Sequence, residues 1–94
     1  MGDIPRDLPG AELIDHGLED LRAGRETEAA LLVAMAAPRL RALGFEVPAG
    51  PDGRSAHRLY ALLTRTDPAP HSRYNALVAR VASFARAAEH AASR

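Results

Sequence analysis

Residues 29–37 read AALLVAMAA, a run of nine residues without a polar side chain. A helix that is apolar on every side is buried over most of its surface. Alanine, leucine and methionine are strong helix formers, so the composition of the run favours a helix. Thr27, two residues upstream, is suited to cap its start. The run therefore predicts a helix at the centre of the fold.

Pro38 ends this run and sets the geometry of the central helix. Proline lacks a backbone donor and clashes with the preceding turn, so a helix that meets it kinks or stops. The next residues, RLRAL, are followed by Gly44, a residue typical of helix ends. We expect one helix over residues 27–43 that is kinked or broken at Pro38, with a short second piece in the broken case.

Apolar residues at helical spacing mark a segment on each side of this centre. We expect the first helix over residues 9–23, with Pro9 at its first position and Gly24 just after its end. We expect a later helix over residues 55–66, with Ser55 as its N-cap. Each segment is amphipathic, so one side of each helix should face the core.

The last helix follows a proline-rich turn, TDPAP. A residue before proline is pushed out of the helical region, so this helix starts near Pro70 or is capped by Ser72, and we expect it over residues 70–91. No segment alternates apolar and polar residues as a strand does. The chain therefore predicts an all-α fold, a small bundle of four helices whose short connections favour antiparallel neighbours.

The length of 94 residues fits one helical domain, which we expect over residues 9–94 behind a flexible N-terminal arm at residues 1–8. Twenty alanines favour helices that approach closely, but they contribute little volume to a core. Small domains with thin cores often gain burial by association. The composition therefore favours a homo-oligomer.

Composition also excludes several chemistries. The chain has no cysteine and no lysine, which excludes a thiolate nucleophile, a Schiff-base lysine and a P-loop lysine. It has no glycine-rich phosphate loop and no metal signature, so we expect no cofactor and no metal. The N-terminal stretch lacks the regions of a signal peptide, and the longest uncharged run, residues 29–38, is too short to span a membrane. We expect a cytoplasmic location.

The net charge is zero, but the two halves differ. Residues 1–46 hold nine acids and five arginines, a charge of −4, and residues 47–94 hold three acids and seven arginines, a charge of +4. One interpretation is that the acidic first helix lies beside the basic later helices, within one molecule or across a dimer. The other is a basic face for nucleic acid or an acidic partner.

The stretch HSRYN, residues 71–75, is the most site-like part of the sequence. Free N–H groups at a helix start favour an anion, and His71 and Arg73 add positive charge, with Tyr74 as a further donor. This interpretation predicts a weak anion or ligand site. The alternative is that Ser72 caps the helix, Tyr74 packs with its hydroxyl at the rim, and Arg73 and Asn75 face water or hold the preceding loop.

Arg65 and His71 are separated by five residues, TDPAP. In this pair and in the predicted bundle, the chain resembles the HEPN-type RNases, which carry an arginine and a histidine at a similar spacing and often dimerise. The resemblance implies that His71 acts as general acid or base on the RNA 2′-hydroxyl, and that Arg65 stabilises the developing phosphorane charge. The two prolines and Thr66 depart from the family pattern, whose pair lies on one helical segment.

Two further groups of charged residues share helix faces. Glu12, His16 and Asp20 stack on one face of the first helix, but bundle metal sites take ligands from several helices, so we expect a solvated acidic face. Five arginines form a possible basic track along the last two helices: Arg58, Arg65, Arg73, Arg80 and Arg86. Ion pairing with the acidic first helix is the simpler explanation of that track.

These observations favour a small cytosolic helical module that acts through protein contacts and has no catalysis of its own. We expect it to be a homodimer or a regulatory subunit bound to a larger partner. The alternative is a protein that acts on nucleic acid, either an RNase of the HEPN type or an arginine-dependent binder of RNA or DNA.

Overall fold

The computed structural model describes residues 7–48 and 54–92, and five helices lie within these ranges. They are α1 (Ala11–Arg22), α2 (Glu28–Met35), α3 (Ala37–Ala42), α4 (Ser55–Thr66) and α5 (Pro70–Ala92). The described residues contain no strand. The predicted all-α small bundle is confirmed, while the antiparallel arrangement of its helices stays a prediction. Residues 1–6 of the predicted arm lie outside the described residues.

α2 is the helix around which the others assemble. It packs against α1, α4 and α5, and it continues directly into α3. Leu31, Leu32 and Val33 are at most 1% exposed, because α2 is covered on more than one side. The Thr27 hydroxyl accepts a hydrogen bond from the Ala30 N–H at 3.2 Å, which confirms the predicted cap. The apolar run thus forms the centre of the bundle, as its composition predicts.

Pro38 coincides with a break between two helices. α2 ends at Met35 and α3 begins at Ala37, with Ala36 as the turn between them. Pro38 therefore lies in the first turn of α3, where its missing N–H group would have had no intrahelical partner. Of the two predicted forms for residues 27–43, the structure shows the broken one.

One predicted helix start and one predicted cap are wrong. α1 begins at Ala11 and not at Pro9, because Gly10 has a φ of 78°, outside the helical region, and occupies the cap position. A Cβ atom at Gly10 would lie 3.0 Å from the Arg80 carbonyl oxygen, so glycine also lets this turn pass close to α5. α4 spans Ser55–Thr66, as predicted, but Ser55 is its buried first residue and the cap position belongs to Arg54, without a side-chain cap bond.

The start of α5 follows one of the two predicted forms. The helix begins at Pro70, and Ser72 lies inside its first turn instead of capping it. The Asp67 carboxylate accepts a hydrogen bond from the Ala69 N–H at 2.8 Å and so closes the turn that precedes the helix. The Ala69 carbonyl then accepts the helical hydrogen bond of Arg73.

The core lies between α2 and the buried faces of α1, α4 and α5. Its largest fully buried side chains outside α2 are Ile14, Leu18, Leu40, Leu59, Leu63, Leu77 and Phe84. Complete burial of each such side chain contributes roughly 1.5–3 kcal/mol to the stability of the fold. Leu8, from the predicted arm, also packs against this core. No helix in the described part of the chain is long and apolar enough to cross a membrane.

Gly17 marks the closest approach of α1 to α2. It is buried in the middle of α1, and a Cβ atom there would overlap the Ala29 carbonyl oxygen and Cγ2 of Val33, and would lie 2.9 Å from the Ala29 carbonyl carbon. Two of these three atoms belong to the backbone of α2, so the side chains around them cannot relieve the overlap. The absence of a side chain at Gly17 therefore sets how closely the two helices pack.

We expect Gly17→Ala to lower the free energy of unfolding by about 1–3 kcal/mol, because the added methyl group forces α1 away from α2. In an exposed helix the same change would stabilise by up to about 1 kcal/mol through helix propensity. Urea unfolding followed by circular dichroism measures the effect. Ser83→Ala, on the exposed side of α5, is the matched control and should change little. Unaltered or higher stability of Gly17→Ala would contradict the close packing.

Candidate functional site

Residues 71–75 occupy the first turns of α5, where two of them meet a side chain of α4. The ring of Tyr60 lies 5.6 Å from the ring of Tyr74 and 6.3 Å from the ring of His71, measured between centroids. Both contacts are edge-on, with interplanar angles of 62° and 65°. We call Tyr60, His71 and Tyr74 the aromatic cluster. Edge-to-face contacts of this kind stabilise aromatic pairs beyond their buried area.

The aromatic cluster has a buried base and an exposed top. Tyr74 is half-buried, and its hydroxyl donates to Sδ of Met35 at 3.9 Å, which ties the cluster to α2. Tyr60 is 39% exposed and is the one large hydrophobic side chain exposed among the described residues. His71 is exposed, and its Nε2 lies 3.4 Å from the Asn75 amide nitrogen, close enough for the amide to donate to an unprotonated ring nitrogen.

The other two residues of the predicted anion site do not join this cluster. The Arg73 guanidinium donates to Oε1 of Glu28 at 3.2 Å, so it is directed to the start of α2. Ser72 is exposed on α5. The five residues thus split between an aromatic face and an ion pair. Anion binding at residues 71–75 stays a prediction.

Arg65 and His71, the predicted RNase pair, are positioned at opposite edges of the exposed side of α4. Arg65 lines an open groove of about 270 Å³, together with Glu26, Arg58, Ala61 and Leu62. His71 contacts Tyr60, and Tyr60 and Arg65 are about 140° apart around the helix at 100° per residue. The fold therefore does not bring the two side chains together, and RNA cleavage by them stays a prediction.

The acidic face of α1 divides into exposed residues and one residue with a structural role. Glu12, Asp15, His16 and Glu19 are exposed. Asp20 instead accepts hydrogen bonds from the Thr27 hydroxyl at 2.6 Å and from Nε of Arg25 at 3.0 Å. Within residues 7–48 and 54–92, no three His, Cys, Asp or Glu side chains are grouped as metal ligands.

Ion pairs join the acidic and basic halves of the chain. Arg58 pairs with Glu26 at 3.1 Å, and Arg73 pairs with Glu28 at 3.2 Å. Both acids flank the start of α2, so α4 and α5 are tied to the same end of the central helix. A third pair joins an arginine of the acidic half to an acid of the basic half: Arg39 donates two hydrogen bonds to the Glu89 carboxylate, both 3.0 Å long. Two arginines of the predicted basic track are therefore engaged within the molecule.

Tyr60 is the residue of this site that the sequence did not single out. Its position at the edge of the apolar stripe of α4 was the available signal. That signal does not show that α5 crosses α4 at this point and presents His71 and Tyr74 to its ring. No protein-family model, no curated protein and no solved structure matches the chain. The site is therefore interpreted from its own geometry.

Asp20 joins the end of α1 to the start of α2, and this contact gives an expected pH dependence. The hydrogen bond from Thr27, followed by that from Arg25, lowers the pKa of Asp20 below its ordinary value of 3.8. A group with a lowered pKa in the folded state stabilises the fold above its ordinary pKa. This stabilisation is lost as the pH falls below 3.8 and through the lowered value.

We expect Asp20→Asn to lower the melting temperature at neutral pH, and the difference from the parent protein to shrink as the pH falls towards about 3. Thermal unfolding followed by circular dichroism over this pH range tests it. Asp15→Asn removes an exposed carboxylate from the same helix and should leave the melting temperature nearly unchanged. A constant difference between Asp20→Asn and the parent at every pH would rule out the charge of Asp20 as the cause.

Proposed function

We propose that this chain is a small cytoplasmic helical module that acts through protein contacts, without catalysis of its own, as a homodimer or bound to a larger partner. The observation that carries the proposal is the exposed ring of Tyr60, which two neighbouring rings hold in place. Tyrosine and arginine are enriched among the residues that dominate binding energy at protein interfaces.

The surroundings of Tyr60 favour a protein contact. We define the α4 outer face as its exposed residues on the side away from α2: His57, Tyr60, Ala61, Thr64 and Arg65. None of them is acidic, and Ala61 and Thr64 are small enough to let another helix approach. The ring of Tyr60 is held against two neighbours before any partner arrives. A side chain that is ordered in advance loses less entropy on binding.

The composition of the core supports association. Among residues 7–48 and 54–92, alanine supplies five of the seventeen buried hydrophobic residues: Ala11, Ala30, Ala37, Ala85 and Ala88. Each buries little apolar area, so the bundle has less hydrophobic stabilisation than a leucine-rich core of equal size. Covering the α4 outer face would add to that burial.

A nucleic-acid function is less well supported by the arrangement of the arginines. Binding to a phosphate backbone uses arginine and lysine side chains that are free to neutralise phosphates. Arg58 and Arg73 are instead paired with Glu26 and Glu28. Protein contact through the α4 outer face is therefore the function that the geometry favours.

We expect Tyr60→Ala to weaken association by at least about tenfold, because it removes the central exposed ring of the contact surface. Sedimentation velocity over a range of concentrations measures self-association, and quantitative retention on immobilised protein measures binding of another protein. Thr64→Ala, one turn along the same face, is the control and should bind like the parent. Circular dichroism verifies that both variants fold.

The proposal fails under two results. One is a parent protein that stays monomeric at high concentration and retains no other protein in a Tyr60-dependent manner. The other is a Tyr60→Ala variant that associates as tightly as the parent.

The RNase alternative is tested by incubating labelled RNA with the parent protein and with the double variant Arg65→Ala, His71→Ala. We expect the same RNA pattern from both, because the fold places these two side chains at opposite edges of the exposed side of α4 and does not bring them together. Cleavage by the parent that the double variant lacks would replace the proposed function with a catalytic one. Gel analysis of the RNA over time is the measurement.

A further inference from the structure

The outer faces of α1 and α4 carry opposite charge. We define the α1 outer face as its exposed residues Glu12, Asp15, His16 and Glu19, and the exposed Arg22 follows them at the end of the helix. Its three carboxylates form no ion pair within residues 7–48 and 54–92. Carboxylates one and two turns apart on one face repel each other, and a positive partner would relieve that repulsion.

The α4 outer face has the complementary character. The twelve residues of α4 include no aspartate or glutamate, and Arg65 forms no ion pair with any described residue. Tyr60 lies at the opposite edge of this face, about 140° around the helix from Arg65, and offers apolar and aromatic surface there. The face therefore suits an acidic helix that also carries a ring or an apolar group.

The two helices match in length as well as in charge. α1 and α4 each contain 12 residues, which corresponds to about 18 Å of helix. Glu12 and Glu19 are seven residues apart, so they place negative charge along two turns of α1. His16 lies between the two glutamates, and its imidazole supplies a ring on the same face.

One molecule cannot pair these two faces with each other. α1 and α4 both pack against α2 through their buried residues, such as Ile14 and Leu59, so their outer faces point to solvent. Contact between an α1 outer face and an α4 outer face therefore requires two copies of the chain. Each copy supplies one face of each kind, and such a pair closes with two-fold symmetry if both contacts form together.

We propose that the partner at the α4 outer face is the α1 outer face of a second copy of this chain. The proposal rests on the proposed function and names its partner. Tyr60 supplies the buried anchor, and the contact between Arg65 and the α1 carboxylates sets the specificity. Exposed charge pairs give specificity and association rate more than affinity, so the two contributions are separable by mutation.

The test exchanges the charges of the two faces. We expect Arg65→Glu to weaken self-association about tenfold, and the double variant Glu12→Arg, Glu19→Arg to do the same, because each places like charges opposite one another. An equimolar mixture of these two variants should associate like the parent protein, since every contact between them is again between opposite charges. Sedimentation velocity of each variant and of the mixture is the measurement.

Two controls accompany this exchange. Arg80→Glu makes the same change of charge at an exposed position of α5 and should associate like the parent, while the parent's association should weaken with rising salt. Circular dichroism establishes that each variant folds. Failure of the mixture to recover association overturns the proposal, and so does unaltered association of Arg65→Glu.

The behaviour of the parent protein distinguishes failure of the second-copy proposal from failure of the proposed function. A parent that is monomeric at high concentration, yet binds another protein in a Tyr60-dependent way, overturns the second-copy proposal and leaves the proposed function in place. A parent with neither property overturns both. Recovery of association in the mixture supports both, because only contact between α1 and α4 of different copies produces it.

Discussion

The need to cover α2 is the constraint on which the rest of the structure depends. A helix that is apolar on nearly every side has no face that water solvates well, so it needs neighbouring helices on several sides. α1, α4 and α5 supply them, and Gly17 lets α1 approach until its backbone meets that of α2. With a core rich in alanine, such close packing between helices takes the place of large side chains as the source of dispersion contacts.

Charge placement around α2 then decides which side chains remain available on the surface. Glu26 and Glu28 flank the start of α2 and hold Arg58 and Arg73. Exposed pairs of this kind contribute little to stability, at most about 1 kcal/mol each. Their larger effect is on direction, because they draw two arginines of α4 and α5 towards the acidic half of the same molecule. Arg65, further along α4, lines the same groove as Glu26 but forms no ion pair with any described residue.

Features that depend on residues close together in the sequence could be predicted from it. Contacts between helices could be predicted less well, because they join residues that are far apart in the sequence. The apolar run predicts the central helix, and Thr27 predicts its cap, because both are local properties. The start of α1 was misplaced because Gly10 adopts its conformation where the turn passes α5. Likewise, residues 71–75 stood out by composition, but Tyr60 comes from α4, and Glu28, the partner of Arg73, lies 45 residues away.

The shape of the surface argues for a protein partner over a small ligand at the aromatic cluster. Two grooves on the described surface, of about 370 and 270 Å³, are lined by residues outside the aromatic cluster. Charged side chains border both, among them Arg41 in the larger and Glu26 in the smaller. Small ligands bind in concave sites that surround most of their surface. Tyr60 projects from an exposed helix face instead, so only a surface that is itself broad can cover it. A second helix of similar length meets that requirement, and each further copy of this chain brings one.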